Sequence, residues 1–343
     1  MRIEKPERIG WEITRFCNLT CPHCYSAATK KPLRELSTAE SLNIIKSLKE
    51  MGTGFIGWTG GEPLLRGDLE KLISYAAEMG IKSAITSNGV LLDEKRARSL
   101  QKAGVRMVQI SIDGSTPEWN NRMRRATAEE FYKALEAVRI CRRLGYSVTM
   151  AMLIGEENLD DAPEYIKLAT HEGVDCVRFC GFVPFGRGKS QNHRLGFTER
   201  KGDLKKFVSK HYGSENPMIA FDPAFGPPPP YYYFHECMAG KSMFYLTCTG
   251  DVFPCTSLLG KENLIGNARK RSLADIWNDP KMTAVSDLRP QDIHGVCRDC
   301  RHLKHCHGAC RGITKCHTGD LYASFPLCLY RVKSKSKAVK HPK

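Results

Sequence analysis

Cys17, Cys21 and Cys24 form a C-x3-C-x2-C run directly after an alternating apolar segment, Ile9, Trp11 and Ile13, that reads as a β-strand. Thiolates so spaced hold a metal centre, and their number decides which one. In an ordinary [4Fe–4S] cubane each iron takes a cysteine thiolate. Three cysteines leave one iron with an open position, where a small molecule can bind and be reduced. Zinc is the competing reading, but its structural sites close with four ligands, commonly from paired C-x2–4-C units. His23 sits between two of the cysteines and is poorly set to be the fourth. The trio reads as an iron–sulfur site.

A second field of cysteines lies far along the chain. Cys237 is followed by Gly250 and Cys255, and then by Cys297, Cys300, Cys306, Cys310 and Cys328. Cys297, Cys300, Cys306 and Cys310 superficially fit a zinc knuckle, with a two-cluster iron–sulfur array as the stronger reading. Cys141 falls on an apolar helical face and is expected in the core. Cys176, Cys180 and Cys316 match no ligand position, although Cys180 ends a strand. The chain holds 15 cysteines in 343 residues. Disulfide scaffolds of that density belong to short secreted chains, so metal ligation in a reducing cytosol is expected instead. The charged start (Arg2, Glu4, Lys5) and the lack of a long apolar stretch point to a soluble, cytoplasmic protein without a membrane partner. The net charge of +15 suits an acidic substrate or a partner protein, and nucleic acid is not the expected partner. Part of that charge is the tail at 331–343, read as disordered and solvated.

These groups need a scaffold. Strands are expected at 9–15, 54–58, 81–86, 105–112, 146–153 and 174–180, with amphipathic helices between them. Ser37 and Glu40 make a capping box ahead of Leu42, Ile45, Leu48 and Met51. Leu69, Leu72, Ile73 and Ala76 mark a second helix, and Thr127 opens a third that carries Phe131, Leu135, Val138 and Cys141. Alternating strands and helices mean a parallel sheet with right-handed crossovers. Six units fall short of a full eightfold barrel, so the fold class is α/β, a partial (β/α)6 TIM-like barrel over 1–190. Residues 191–235, rich in glycine, proline and charge, read as a bridge, with Pro227 to Pro230 stiff and Tyr231 to Tyr233 packing on the barrel. A small cysteine-rich domain follows at 236–330.

The cysteine trio after a first strand, with Gly60, Gly61, Glu62 and Pro63 after a second, resembles the radical S-adenosylmethionine (radical SAM) enzymes. The resemblance implies that the open iron chelates S-adenosyl-L-methionine, and that one electron cleaves it to methionine and a 5′-deoxyadenosyl radical that abstracts hydrogen from a substrate. It gives the Gly60–Pro63 segment a contact to the methionyl amino group. It assigns Ser87 and Asn88 to the ribose or carboxylate, and Ser111 and Arg124 to the carboxylate. The later array resembles the SPASM domain, which carries two auxiliary [4Fe–4S] clusters. By that resemblance Cys237, Cys255 and Cys310 hold the first, and Cys297, Cys300, Cys306 and Cys328 the second. Tyr231 stands where some relatives have an eighth cysteine, which leaves an open iron, Cys248 or another group as the fourth ligand.

Auxiliary clusters suit net oxidations. The turn Phe182 to Gly188 resembles one in relatives that include alternative-haem-pathway enzymes, and with the positive balance it favours an acidic small molecule such as a tetrapyrrole carboxylate. A peptide- or protein-modifying maturase of the ribosomal-peptide or sulfatase type is the alternative. The first strand begins so early that no leader-peptide-binding domain is expected before it. A one-electron donor such as flavodoxin or ferredoxin is the implied partner. The rival of another class is a non-catalytic iron–sulfur or zinc protein that binds RNA. No catalytic acid or base is assigned.

Overall fold

The computed structural model describes residues 5–31, 33–191, 199–222, 225 and 237–329. The proline run, the tyrosine run with Tyr231 and the basic tail lie outside the described residues. Ten strands form one sheet: β1 (Arg8–Thr14), β2 (Phe55–Gly60), β3 (Lys82–Ser87), β4 (Met107–Ser111), β5 (Ser147–Ile154), β6 (Cys176–Gly181), β7 (Met218–Phe221), β8 (Met243–Leu246), β9 (Asp251–Phe253) and β10 (Gly266–Asn267). Their order is β10-β9-β8-β1-β2-β3-β4-β5-β6-β7. Pairing from β1 through β7 is parallel, as is β8 on β1, and β9 and β10 continue antiparallel.

Crossover helices are α1 (Thr38–Glu50), α2 (Leu69–Glu78), α3 (Glu94–Ala103), α4 (Pro117–Arg124), α5 (Ala128–Arg143) and α6 (Ala162–His171). The capping boxes at Ser37/Glu40 and Thr127/Glu130 both form. One face of the sheet, with Ile9, Trp11, Trp58, Ile85, Val108, Val148 and Phe179, is buried against helix residues such as Ile45, Leu72, Leu100 and Val138. Trp11 and Trp58 stack there at 5.4 Å, and Trp58 Nε1 donates to Ser83 Oγ at 2.9 Å. The other face carries small and polar residues, Gly57, Thr59, Ala84, Thr86, Gln109, Ser111 and Thr149, all partly open to solvent. Period-two alternation thus separates a helix-covered core from an accessible inner wall.

The structure adds to the expected organisation at two places. The expected bridge at 191–235 contains a helix, Lys201–His211, and the seventh parallel strand, Met218–Phe221. That helix buries Leu204, Phe207 and Val208, a helical spacing obscured by the surrounding glycine, proline and charge. The cysteine-rich domain expected at 236–330 is joined to the barrel sheet: its β8 pairs along β1, Arg8 opposite Met243 and Trp11 opposite Leu246. The cysteine-rich segment therefore begins as a continuation of the main sheet.

Candidate active site

The first cysteine loop leaves the end of β1 and is fastened from two sides. From β2, Gly61 N donates to Thr14 O at 2.7 Å and Glu62 N to Phe16 O at 2.8 Å. A Cβ on Gly60 would lie 2.2 Å from Thr14 O, and one on Gly61 2.3 Å from Phe16 O. The paired glycines admit a close approach, as their type suggests, and the partner they admit is the cysteine loop itself. From β6, Arg187 N donates to Cys24 O at 3.0 Å, Arg187 Nε to Cys21 O at 3.0 Å, and Arg187 Nη1 to Ala28 O. Gly186 has φ +59°, and a Cβ there would meet Tyr25 O at 2.3 Å. The Phe182–Gly188 turn thus clamps the loop; Arg187 spends its donors on main-chain carbonyls and offers no direct support for a charged substrate.

Within the loop, Cys17, Cys21 and Cys24 pack together with Leu19, Ala28 and Ala126. Burial raises the Cys17 and Cys21 thiols, Cys21 to about 11, while the Arg124 guanidinium acts in the opposite sense. Leu19 N points at Cys17 Sγ at 3.4 Å and Ala28 N at Cys24 Sγ at 3.5 Å. Unpaired thiols gathered in one pocket, with amide donors and a cation beside them, are the donor set that an iron–sulfur cluster takes.

Glu62 is fully buried. Its Oε1 accepts from Ser87 Oγ at 2.8 Å and Leu64 N at 3.2 Å, and Oε2 accepts from Asn88 N at 2.8 Å. Burial raises its pKa against these hydrogen bonds. Glu62 and Ser87 thus tie the β2 and β3 ends to each other, whereas Asn88 reaches outward: its Nδ2 donates to Asn18 Oδ1 at 2.7 Å and lies 4.0 Å from Cys17 Sγ. Pro63 is buried at the start of a single 3-10 turn. Ser111 ends β4 on the inner wall, partly exposed.

Arg124 has two arginine neighbours, Arg122 and Arg125, and the structure separates the three. Arg122 stacks on Trp119 at 4.5 Å. Arg125 follows α4 in the left-handed region and faces out. Arg124 turns inward, its Nε 2.8 Å from Asp113 Oδ2. Cys17 and Cys21 lie within its electrostatic reach. Asp113, which sequence reasoning passed over in favour of Ser111, also accepts from Leu153 N at 2.6 Å and sits 3.4 Å from His23 Nε2. Burial lowers the His23 pKa, against the pull of Asp113. Glu12 on β1 was also missed: fully buried, it pairs with Arg15 at 2.7 Å and accepts from Cys248 Sγ at 3.4 Å.

Beyond the sheet the cysteines fall into two groups. Cys255 feels Cys237, Cys310 and Cys316, and Cys306 feels Cys328 and Cys297; burial raises both Cys255 and Cys306. Cys300 N closes a turn onto Cys297 O at 3.1 Å, and Cys310 N-caps the helix Arg311–Thr318. Arg311, nearly buried, stands between the groups within reach of Cys237, Cys297, Cys306 and Cys310. Cys297, Cys306, Cys310 and Cys328 pack around Ala309, Ile313 and Phe325, together with Val183 from the segment after β6. Thiols grouped around a buried cation again fit anionic iron–sulfur centres.

Comparison with known proteins adds independent support. The model of the radical SAM superfamily matches residues 11–169, and that of the iron–sulfur cluster-binding SPASM domain matches residues 237–301. The chain is 28% identical to the AdoMet-dependent heme synthase of Methanosarcina barkeri, over 95% of this chain and 97% of that protein. It is also 28% identical to the mycofactocin maturase MftC of Mycolicibacterium smegmatis, over 90% of this chain and 79% of that one. The fold is similar to that of Streptococcus suis SuiB bound to S-adenosylmethionine, with a TM-score of 0.73, 18% identity, and coverage of 95% and 77%. With its cysteine trio clamped at the strand ends and its second cysteine field built onto the same sheet, the chain belongs to the radical SAM superfamily, an enzyme with a SPASM domain that uses S-adenosylmethionine, a [4Fe–4S] cluster and auxiliary iron–sulfur clusters.

Proposed function

We propose that this enzyme carries out a net oxidation of an acidic small molecule, a tetrapyrrole side chain in haem-type biosynthesis. The observation that carries this reading is the near end-to-end similarity to an AdoMet-dependent heme synthase. The cofactors, when bound, supply reductive cleavage of S-adenosylmethionine and hydrogen abstraction. Cys17, Cys21 and Cys24 hold the first cluster. Asn88, Ser111, Arg124 and the main chain of Gly60–Pro63 frame the cofactor, with Glu62 and Ser87 holding the strand ends in place. Cys237, Cys255 and Cys310 hold one auxiliary cluster, and Cys297, Cys300, Cys306 and Cys328 the other. The partly open inner wall receives the substrate.

A one-electron donor of the flavodoxin or ferredoxin kind completes the cycle. A basic cleft of about 420 Å3 beside the cysteine loop, with Thr20, Pro22, Arg125, Arg187 and Lys189 in its walls, suits an acidic donor. Among the described residues no helix is long and apolar enough to cross a membrane, in keeping with a cytoplasmic setting. Modification of a peptide is the second reading, favoured by the similarity to a mycofactocin maturase.

The test is anaerobic incubation of the reconstituted enzyme with S-adenosylmethionine, a reductant and a propionate-bearing tetrapyrrole. Mass spectrometry should find a cofactor-dependent mass change in the tetrapyrrole, with 5′-deoxyadenosine formed alongside. Replacing Cys17, Cys21 and Cys24 together with alanine should abolish both. An unchanged tetrapyrrole beside a modified peptide would overturn the first reading in favour of the second.

A further inference from the structure

The inner wall of the sheet is built mostly of small or neutral side chains, and midway along β6 a guanidinium rises from it. Arg178 on β6 stands opposite Ala151 of β5 and Ala220 of β7, and Ala151 in turn stands opposite Ser111 of β4. Its neighbours along the wall are therefore short, and its side chain is 46% exposed. It is also held. Nε and Nη2 lie 2.9 and 2.7 Å from the same oxygen, Oδ1 of Asp222, and Nη1 donates to Gln109 Oε1 at 3.3 Å.

Asp222 takes the Nε/Nη2 edge and Gln109 one Nη1 N–H, which together fix the plane of the guanidinium. Each terminal nitrogen bears a second N–H, so one donor on Nη1 and one on Nη2 remain for a carboxylate. The flanking Cys176 and Cys180 add no competing negative charge, because burial keeps both thiols protonated. Asp113, farther along the sheet, is matched by Arg124.

We propose that Arg178, oriented by Asp222 and Gln109, anchors a carboxylate of the substrate on the inner wall. This rests on the acidic-small-molecule reading above and adds the group that recognises the acid. A guanidinium fixed beforehand loses little side-chain freedom on binding, so its hydrogen bonds appear in the affinity rather than being consumed in ordering. Arg124 faces Asp113, and Arg187 turns Nε and Nη1 to carbonyls of the cysteine loop.

The test uses anaerobically reconstituted enzyme and an optical titration with a propionate-bearing tetrapyrrole and with its methyl ester. Arg178→Gln should weaken binding of the acid by roughly ten- to a hundredfold, the worth of a charge-assisted hydrogen-bonded contact, and leave the ester unaffected. Arg178→Lys, which keeps the charge and lacks the fork, should fall between. Iron content and circular dichroism identify a misfolded variant, in which case Arg178→Lys alone carries the comparison. Equal affinity of wild type and folded variants for the acid overturns the assignment of Arg178. Wild type that binds neither acid nor ester overturns the tetrapyrrole reading itself, and the anchor with it.

Discussion

Asp113 shows how one side chain can govern a centre it does not join. It is 1% exposed, receives an amide from β5 and faces Arg124, which in turn faces the cysteine trio. Removing one member of a buried ion pair strands the other, at a cost of about 3–5 kcal/mol. Asp113→Asn should therefore lower unfolding stability by that order, read from anaerobic urea titrations. A midpoint equal to wild type would show that the pair does not hold this corner. Sequence made the cysteine ligands and Arg124 candidates because thiol spacing and turn motifs are local signals. It passed over Asp113 because a serine two residues earlier matched the motif equally well. The commitment of Arg187 was invisible too, since its acceptors are carbonyls more than a hundred residues away.

At the scale of elements, the cysteine loop behaves as a part held between two turns. The β2 turn grips it through Thr14 and Phe16, and the Gly186–Gly188 turn through Cys21, Cys24 and Ala28. Gly186→Ala puts a Cβ against Tyr25 O at a positive φ, a strained position for any other residue. That substitution, or Arg187→Ala, should loosen the loop. Reconstituted protein should then lose about four irons, one cubane's worth, with the auxiliary sites still filled; full iron content would refute the clamp. The strands bearing these turns were legible within two residues, from the alternation of Trp11 and Ile13 to that of Val148 and Met150. The short strand Met218–Phe221 was not, because four residues give too little periodicity. The pairing of β8 with β1 was equally hidden, since no local pattern records which distant strand fills an edge.

For the whole molecule, the two halves that carry the cysteine fields are joined at several points, among them β8 on β1, Cys248 against Glu12, and Val183 in the same cluster as Cys297, Cys306 and Cys328. On the function proposed above, a centre built against the segment after β6 would take the electron from the substrate radical. Cleavage of S-adenosylmethionine needs only the first site. Cys328→Ala should accordingly abolish product while 5′-deoxyadenosine continues to form, provided circular dichroism and the remaining iron are unchanged. Full product yield from such a folded variant would exclude this division of labour.

The sheet order also bears on how the chain is made. β1 is synthesised first, yet it lies inside the sheet, and its second edge stays open until Met243 to Leu246 leave the ribosome. An unpaired edge is a site for wrong partners, and such long-range pairing is slow. β1 is therefore not paired on both edges until β8 is made, and chains truncated before Met243 should hold less iron at the first site than the full chain.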